Sequence, residues 1–305
     1  MRVSISVLSL LLAGLVVPAV AQQPAAKTGV LLLAHGGQAQ WNERVADVAN
    51  RVDQQHPTEI AFGMATRANI QAAIDKLAAR GVTEIVAVPL FVSSHSSVIT
   101  STEYLLGLRK EAPKDLAIFA KMKHASHGAP AEADHSAHHA PAADPASPVT
   151  TALPIRITPA LNRHPLIGAI VADRAKSIST KPEQEAVIIV AHGPVPDEDN
   201  RRWLEDMAVL AAQAKASAPY ASVDYMTVRD DAGEAMREAA TKELRDKVQA
   251  QTAQGRRVLI VPHLMSFGGI EQGIRKRLEG LEYTMTAQAL MPDDRIVQWV
   301  VASTR

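Results

Sequence analysis

The chain has 305 residues, 32 basic against 32 acidic side chains, 4% aromatic residues and no cysteine. This balance gives no field that would gather nucleic acid or an anionic membrane, and so few aromatics make no stacking platform for single strands. Without cysteine there is no disulfide framework, thiolate ligand or iron–sulfur centre, so any metal must be held by nitrogen or oxygen.

Met1 and Arg2 precede an apolar run over 3–20 that is broken by Gly14 and Pro18 and closes on Ala19-Val20-Ala21, the small-residue pattern a signal peptidase reads. A secretory leader over 1–21, cleaved after Ala21, is the expectation. It would leave roughly 280 residues in the periplasm or outside the cell, with no lasting membrane span.

Beyond the leader the chain repeats itself. Val30-Leu31-Leu32-Leu33-Ala34-His35-Gly36 has a twin in Val187-Ile188-Ile189-Val190-Ala191-His192-Gly193. Met64-Ala65-Thr66-Arg67 pairs with Met226-Thr227-Val228-Arg229, and Val86-Ala87-Val88-Pro89 with Leu259-Ile260-Val261-Pro262, in the same order. These runs are short, branched and non-alternating, as strands buried on both faces are. Helical stretches over 68–80 and 233–254 stand between them, and Gly81 and Gly255 stop them. The pattern predicts an α/β fold of two similar doubly wound parallel-sheet lobes facing a central cleft, over 28–183 and 184–305.

The rhythm breaks over about 121–150, where His124, His127, His135, His138 and His139 stand among Ala and Pro with almost no large apolar side chain. Such a segment builds no core and reads as an insertion. It sits inside the first lobe, because Leu153-Pro154-Ile155-Arg156-Ile157 reads as one more strand and His164-Pro165 opens a helix to about Ser179. Two readings stand for its histidines: incidental members of a tether, or an auxiliary store whose spacings let two imidazoles reach one divalent ion.

Ligands of open parallel sheets bind beyond the carboxyl ends of the strands. His35, His95, His192 and His263 lie at or just past such ends, and Gly36 and Gly193 let backbone or ligand approach closely. A neutral imidazole can bind a borderline divalent metal or accept a proton near neutral pH.

The ordered series from Leu31 to Gly36, Ile60-Ala61-Phe62, Gly81 to Val92 and Leu161-Asn162-Arg163-His164-Pro165 resembles the class II chelatases. These are the CbiX-type sirohydrochlorin cobaltochelatases and their ferrochelatase relatives. The resemblance covers the first lobe nearly end to end and the second more loosely. It implies lyase-type insertion of cobalt, or of iron or nickel, into a tetrapyrrole such as sirohydrochlorin, as in cobalamin biosynthesis, with metal and macrocycle as substrates. It also implies that His35 handles the metal and that His95 comes nearest to the proton acceptor. The wider metal set is His35, His95, His192 and Glu271. The family's second histidine stands where this chain has Ser97, and Gly63-Met64-Ala65 stands where the family often has an acidic residue. Arg67 and Arg229 would pair with the macrocycle's carboxylates, or else serve as helix-start arginines bonded to the neighbouring lobe. The alternative function is a periplasmic metal- or tetrapyrrole-binding protein without catalysis.

Overall fold

The computed structural model describes residues 26–121 and 144–305. The expected leader and the histidines at 124, 127, 135, 138 and 139 lie outside the described residues. Among the described residues no helix is long and apolar enough to cross a membrane.

Strands β1 (Thr28–Ala34), β2 (Thr58–Phe62), β3 (Glu84–Pro89) and β4 (Ile155–Ile157) form one parallel sheet in the order β2-β1-β3-β4. A second parallel sheet repeats that order as β6-β5-β7-β8, from β5 (Glu185–Ala191), β6 (Ser222–Thr227), β7 (Arg257–His263) and β8 (Thr284–Met285). Parallel neighbours require crossovers, and helices supply them. The first half carries α1 (Ala39–Asp53), α2 (Arg67–Ala79), α3 (Ser97–Leu105), α4 (Leu116–Lys121) and α5 (Pro165–Lys176). The second carries α6 (Asp197–Ser217), α7 (Glu234–Thr252), α8 (Ile270–Arg277) and α9 (Asp294–Ser303).

The two faces of each strand feed different cores, as the two-residue period of a strand requires. On β1, Leu31 and Leu33 face an outer cluster with Ile70, Ile74 and Leu77 of α2, while Val30, Leu32 and Ala34 face a central one. On β5, Ile188 and Val190 face outward to Leu244 and Val248 of α7, and Val187, Ile189 and Ala191 face the same central cluster. That central cluster is a single apolar layer shared by both lobes, built from α1, α5, α6 and α9.

Two helices change sides to make it. α5 belongs to the stretch 28–183 that the sequence groups with the first lobe, yet it packs on α6, β7 and α9. Its buried Arg174 donates to the carbonyls of Ala289, Leu290 and Pro292 and pairs with Asp293. In return α9, the last helix, packs on α1. Arg51 of α1 pairs with Asp294 at 2.9 Å, and Arg156 of β4 donates to the Thr304 carbonyl at 2.6 Å.

The insertion ends earlier than composition suggests. Ala146, Val149 and Leu153 pack against the outer core of the first lobe, and Val149 N donates to Leu105 O at 2.8 Å. The strand expected next, β4, forms against β3, which places the insertion before the last strand of its sheet.

Candidate active site

The carboxyl ends of β1 and β5 carry the two Ala-His-Gly turns. Gly36 (φ +83°) and Gly193 (φ +79°) both take the left-handed conformation that L-residues avoid. At Gly193 space is a second reason, since an added Cβ would lie 2.4 Å from Thr227 Cβ.

The two histidines have different surroundings. His35 is exposed, and its Nδ1 lies 2.6 Å from the carbonyl of Gly36. A carbonyl only accepts, so Nδ1 carries the hydrogen, and in the neutral ring the lone pair stands free at Nε2. His192 sits between two carboxylates: Nε2 lies 2.8 Å from Asp231 Oδ2 and Nδ1 3.5 Å from Asp230 Oδ2. Burial of this ring works against its charge, but the pairing with Asp230 and Asp231 outweighs burial and pushes its pKa up to about 9. At neutral pH this pairing favours the imidazolium, the form of the ring without a lone pair. Arg277 of α8 donates to the other oxygen of Asp230 and completes the row.

Asp231 links the two lobes electrostatically. The hydrogen bond from His192 holds its carboxyl below the usual range, and the charges of His192 and His35 lower it further. His35 of the first lobe is thus near enough to act on a carboxylate that the second lobe holds in place.

His95 lies in the loop after β3. Trp203 of α6 donates its indole N–H to the His95 carbonyl at 2.8 Å, and His95 Nε2 is 3.9 Å from Asp206 Oδ2. Burial raises the Asp206 carboxyl above its ordinary value, against the pull of His95 and of Arg163, whose Nε is 3.7 Å from Oδ1.

Other expected site residues have structural duties. Glu271 accepts from the backbone N–H of Gly268 (3.0 Å) and Gly269 (2.9 Å) and so closes the start of α8. Arg67 donates to the carbonyls of Ser147 and Pro148, the segment that returns from the insertion. Arg229, with φ +50°, donates to the carbonyls of Pro194 and Val195 and pairs with Asp197 at 2.8 Å. Arg67, at the start of α2, is engaged through Nε and Arg229 through Nε and both Nη atoms, each with partners in its own lobe rather than the neighbouring one. His263 is 2% exposed, and burial holds its pKa down at about 4. Among the described residues no three His, Cys, Asp or Glu side chains converge as a metal-holding group, so His35, His95, His192 and Glu271 do not form one ligand set.

Sequence reasoning missed Asp230, Asp231, Asp206 and Trp203. The acidic pair directly follows the repeated arginine, and β6 runs beside β5 with Ala191 opposite Thr227, which brings it to His192. Asp206 stands among Trp203, Met207, Leu210 and Ala214 on the buried face of α6, where a lone carboxylate is the signal.

The duplicated parallel α/β architecture is shared with chelatases of known structure. Residues 29–178 match the CbiX family model. Sirohydrochlorin cobaltochelatase of Methanothermobacter thermautotrophicus is 35% identical over 86 residues, which are 27% of this chain and 59% of that protein. The chain therefore spans less than two thirds of that relative. Two solved structures share the fold. SirB from Bacillus subtilis with Fe3+ has a TM-score of 0.59 at 15% identity, with 92% of this chain and 94% of that one covered. CbiX, the terminal enzyme for biosynthesis of siroheme in denitrifying bacteria, has a TM-score of 0.51 at 17% identity, with 90% and 97% covered. Residues 29–178, just under half of the chain, thus resemble the CbiX family, and the chain as a whole shares the fold of the solved chelatases.

Proposed function

We propose that this protein inserts a divalent metal ion into a tetrapyrrole of the sirohydrochlorin type, with cobalt as the metal. The observation that carries the reading is His35: an exposed imidazole at the carboxyl end of β1, its tautomer set by Gly36, with Nε2 free. One imidazole holds a cation long enough to orient it and still releases it, which a closed set of ligands does not. Asp231, held by His192 at 2.8 Å, offers negative charge to the arriving ion from the opposite lobe. Metal entry displaces two pyrrole protons, so a proton acceptor is needed, and His95 takes that role. The cobaltochelatase relative supports cobalt and the macrocycle class.

The test is direct. Purified protein lacking 1–21 is mixed with sirohydrochlorin and cobalt(II), and the visible spectrum is followed. Conversion well above the protein-free rate, reduced to near background in His35→Ala, is expected. Binding of both substrates without conversion would instead identify a non-catalytic carrier. Export to the periplasm, with Gln22 as the first residue of the mature chain, belongs to the same proposal. It rests on the Ala19-Val20-Ala21 pattern, and N-terminal sequencing of periplasmic material checks it.

A further inference from the structure

Two residues on the same face of α6 reach the loop that carries His95. Trp203 Nε1 holds the His95 carbonyl at 2.8 Å, and three residues on, Asp206 Oδ2 stands 3.9 Å from His95 Nε2. Asp206 is 8% exposed, and Oδ2 has no hydrogen-bond partner among the described residues. The other charges near this carboxylate are Arg163, 3.7 Å from Oδ1, and Glu205. A buried acceptor without a donor is destabilising, the more so when it carries a charge. The His95 ring, 29% exposed on its side chain and carried on a backbone that Trp203 holds, is the group nearest to Oδ2 that can donate.

We infer that Asp206 is the positioning residue for His95: it keeps Nε2–H turned toward α6 and stabilises the imidazolium formed when the ring takes a proton from the macrocycle. The inference rests on the chelatase reading. In that step a pyrrole N–H bond breaks and an N–H bond forms at Nδ1 of His95. The electron pair stays on the pyrrole nitrogen, where it binds the incoming ion. The imidazolium then gives its proton to water, and the second pyrrole N–H follows the same course, so one divalent ion enters as two protons leave. At 3.9 Å the pair is longer than a hydrogen bond. Catalytic hydrogen bonds in a resting site are commonly long and tighten when charge develops. A carboxylate that fixes the tautomer of a histidine base without taking the proton itself is an established arrangement in hydrolases. Here the base comes from one lobe and its support from the other, so the CbiX segment by itself holds an unsupported base.

Asp206→Asn removes the charge with little change of shape. In the cobalt insertion assay kcat should fall roughly tenfold or more, with KM for sirohydrochlorin and cobalt within about twofold. The same substitution in a His95→Ala background should add no further loss, because Asp206 acts only through His95. Asp206→Glu, which keeps the charge, should recover part of the rate, and it serves if the asparagine variant folds poorly. Long-range 1H–15N NMR of the His95 ring reads the tautomer without any turnover. The wild type should show Nε2–H, and Asp206→Asn should shift the ring toward the other tautomer. Additive losses in the double variant, or a tautomer unmoved by Asp206→Asn, would overturn the assignment. A wild type that inserts no metal but shows the tautomer shift would sink the chelatase reading and leave the His95–Asp206 pairing standing.

Discussion

Replacing His192 with glutamine removes the cation between Asp230 and Asp231 while filling much of the same space. The ring titrates at about 9 in the folded protein against an ordinary 6.5. At 1.36 kcal/mol per unit, that difference corresponds to about 3 kcal/mol of coupling. The side chain is 26% exposed, so solvent screens part of it, and about 2–3 kcal/mol is the expected effect. A pKa raised on folding adds stability that is full below about 6.5 and is lost as pH rises through about 9. The advantage of wild type over His192→Gln should therefore be about 2–3 kcal/mol larger near pH 6 than near pH 10. Urea unfolding of both proteins across that range measures the change. A difference that stays constant with pH, or grows toward alkaline pH, would refute the claim that His192 is a half-buried cation.

His35→Ala should abolish tight single-site cobalt(II) binding by calorimetry with unchanged circular dichroism, whereas His192→Ala should weaken it several-fold at most; equal losses would mean that both imidazoles serve one site. Deleting 123–143 should shift the melting temperature by no more than about 3 °C while lowering the number of weakly bound cobalt, nickel or zinc ions. Extending the deletion to residue 148 should cost a further 1–3 kcal/mol or so, because Arg67 loses its acceptors and Ala146 its packing. Arg229→Ala should lower stability by roughly 1–3 kcal/mol and leave sirohydrochlorin affinity unchanged, a weaker affinity being the contrary result. For His263 the sign is opposite to that of His192. Its folded pKa of about 4 lies below the ordinary value, so stability present above about 6.5 is lost as pH falls through about 4. His263→Leu should flatten that acid limb in a melting series, and an unchanged limb would place the acid sensitivity elsewhere.

The strands were legible because strands buried on both faces read as unbroken Val, Ile and Leu runs, and the repeat of β1 in β5 made the second sheet as plain as the first. The partner of α5 was not. Periodicity shows which face of a helix is apolar, and nothing in Ile167, Ile170 or Val171 says which sheet that face will meet. Half of the site followed from strand ends, since His35 and His192 must lie at one edge of their sheets. What became of His192 depended on Asp230 and Asp231, residues distant along the chain that parallel pairing brings alongside. The arginines misled for a related reason: a guanidinium after a strand meets the carbonyls of its own turn before any ligand, as Arg229 does with Pro194 and Val195.

The exchange of α5 and α9 bears on how such a molecule can change. In a simple tandem duplication either copy can be trimmed away, because each closes its own core. Here each copy has lent its closing helix to the other, so removing one half strips the survivor of a wall and bares the central layer. Leu161, Ile167, Ile170 and Val171 are among the side chains wholly buried there, and baring each costs about 1.5–3 kcal/mol. The same dependence sets a cost on any separation of the two halves, because parting them would expose that shared layer to water.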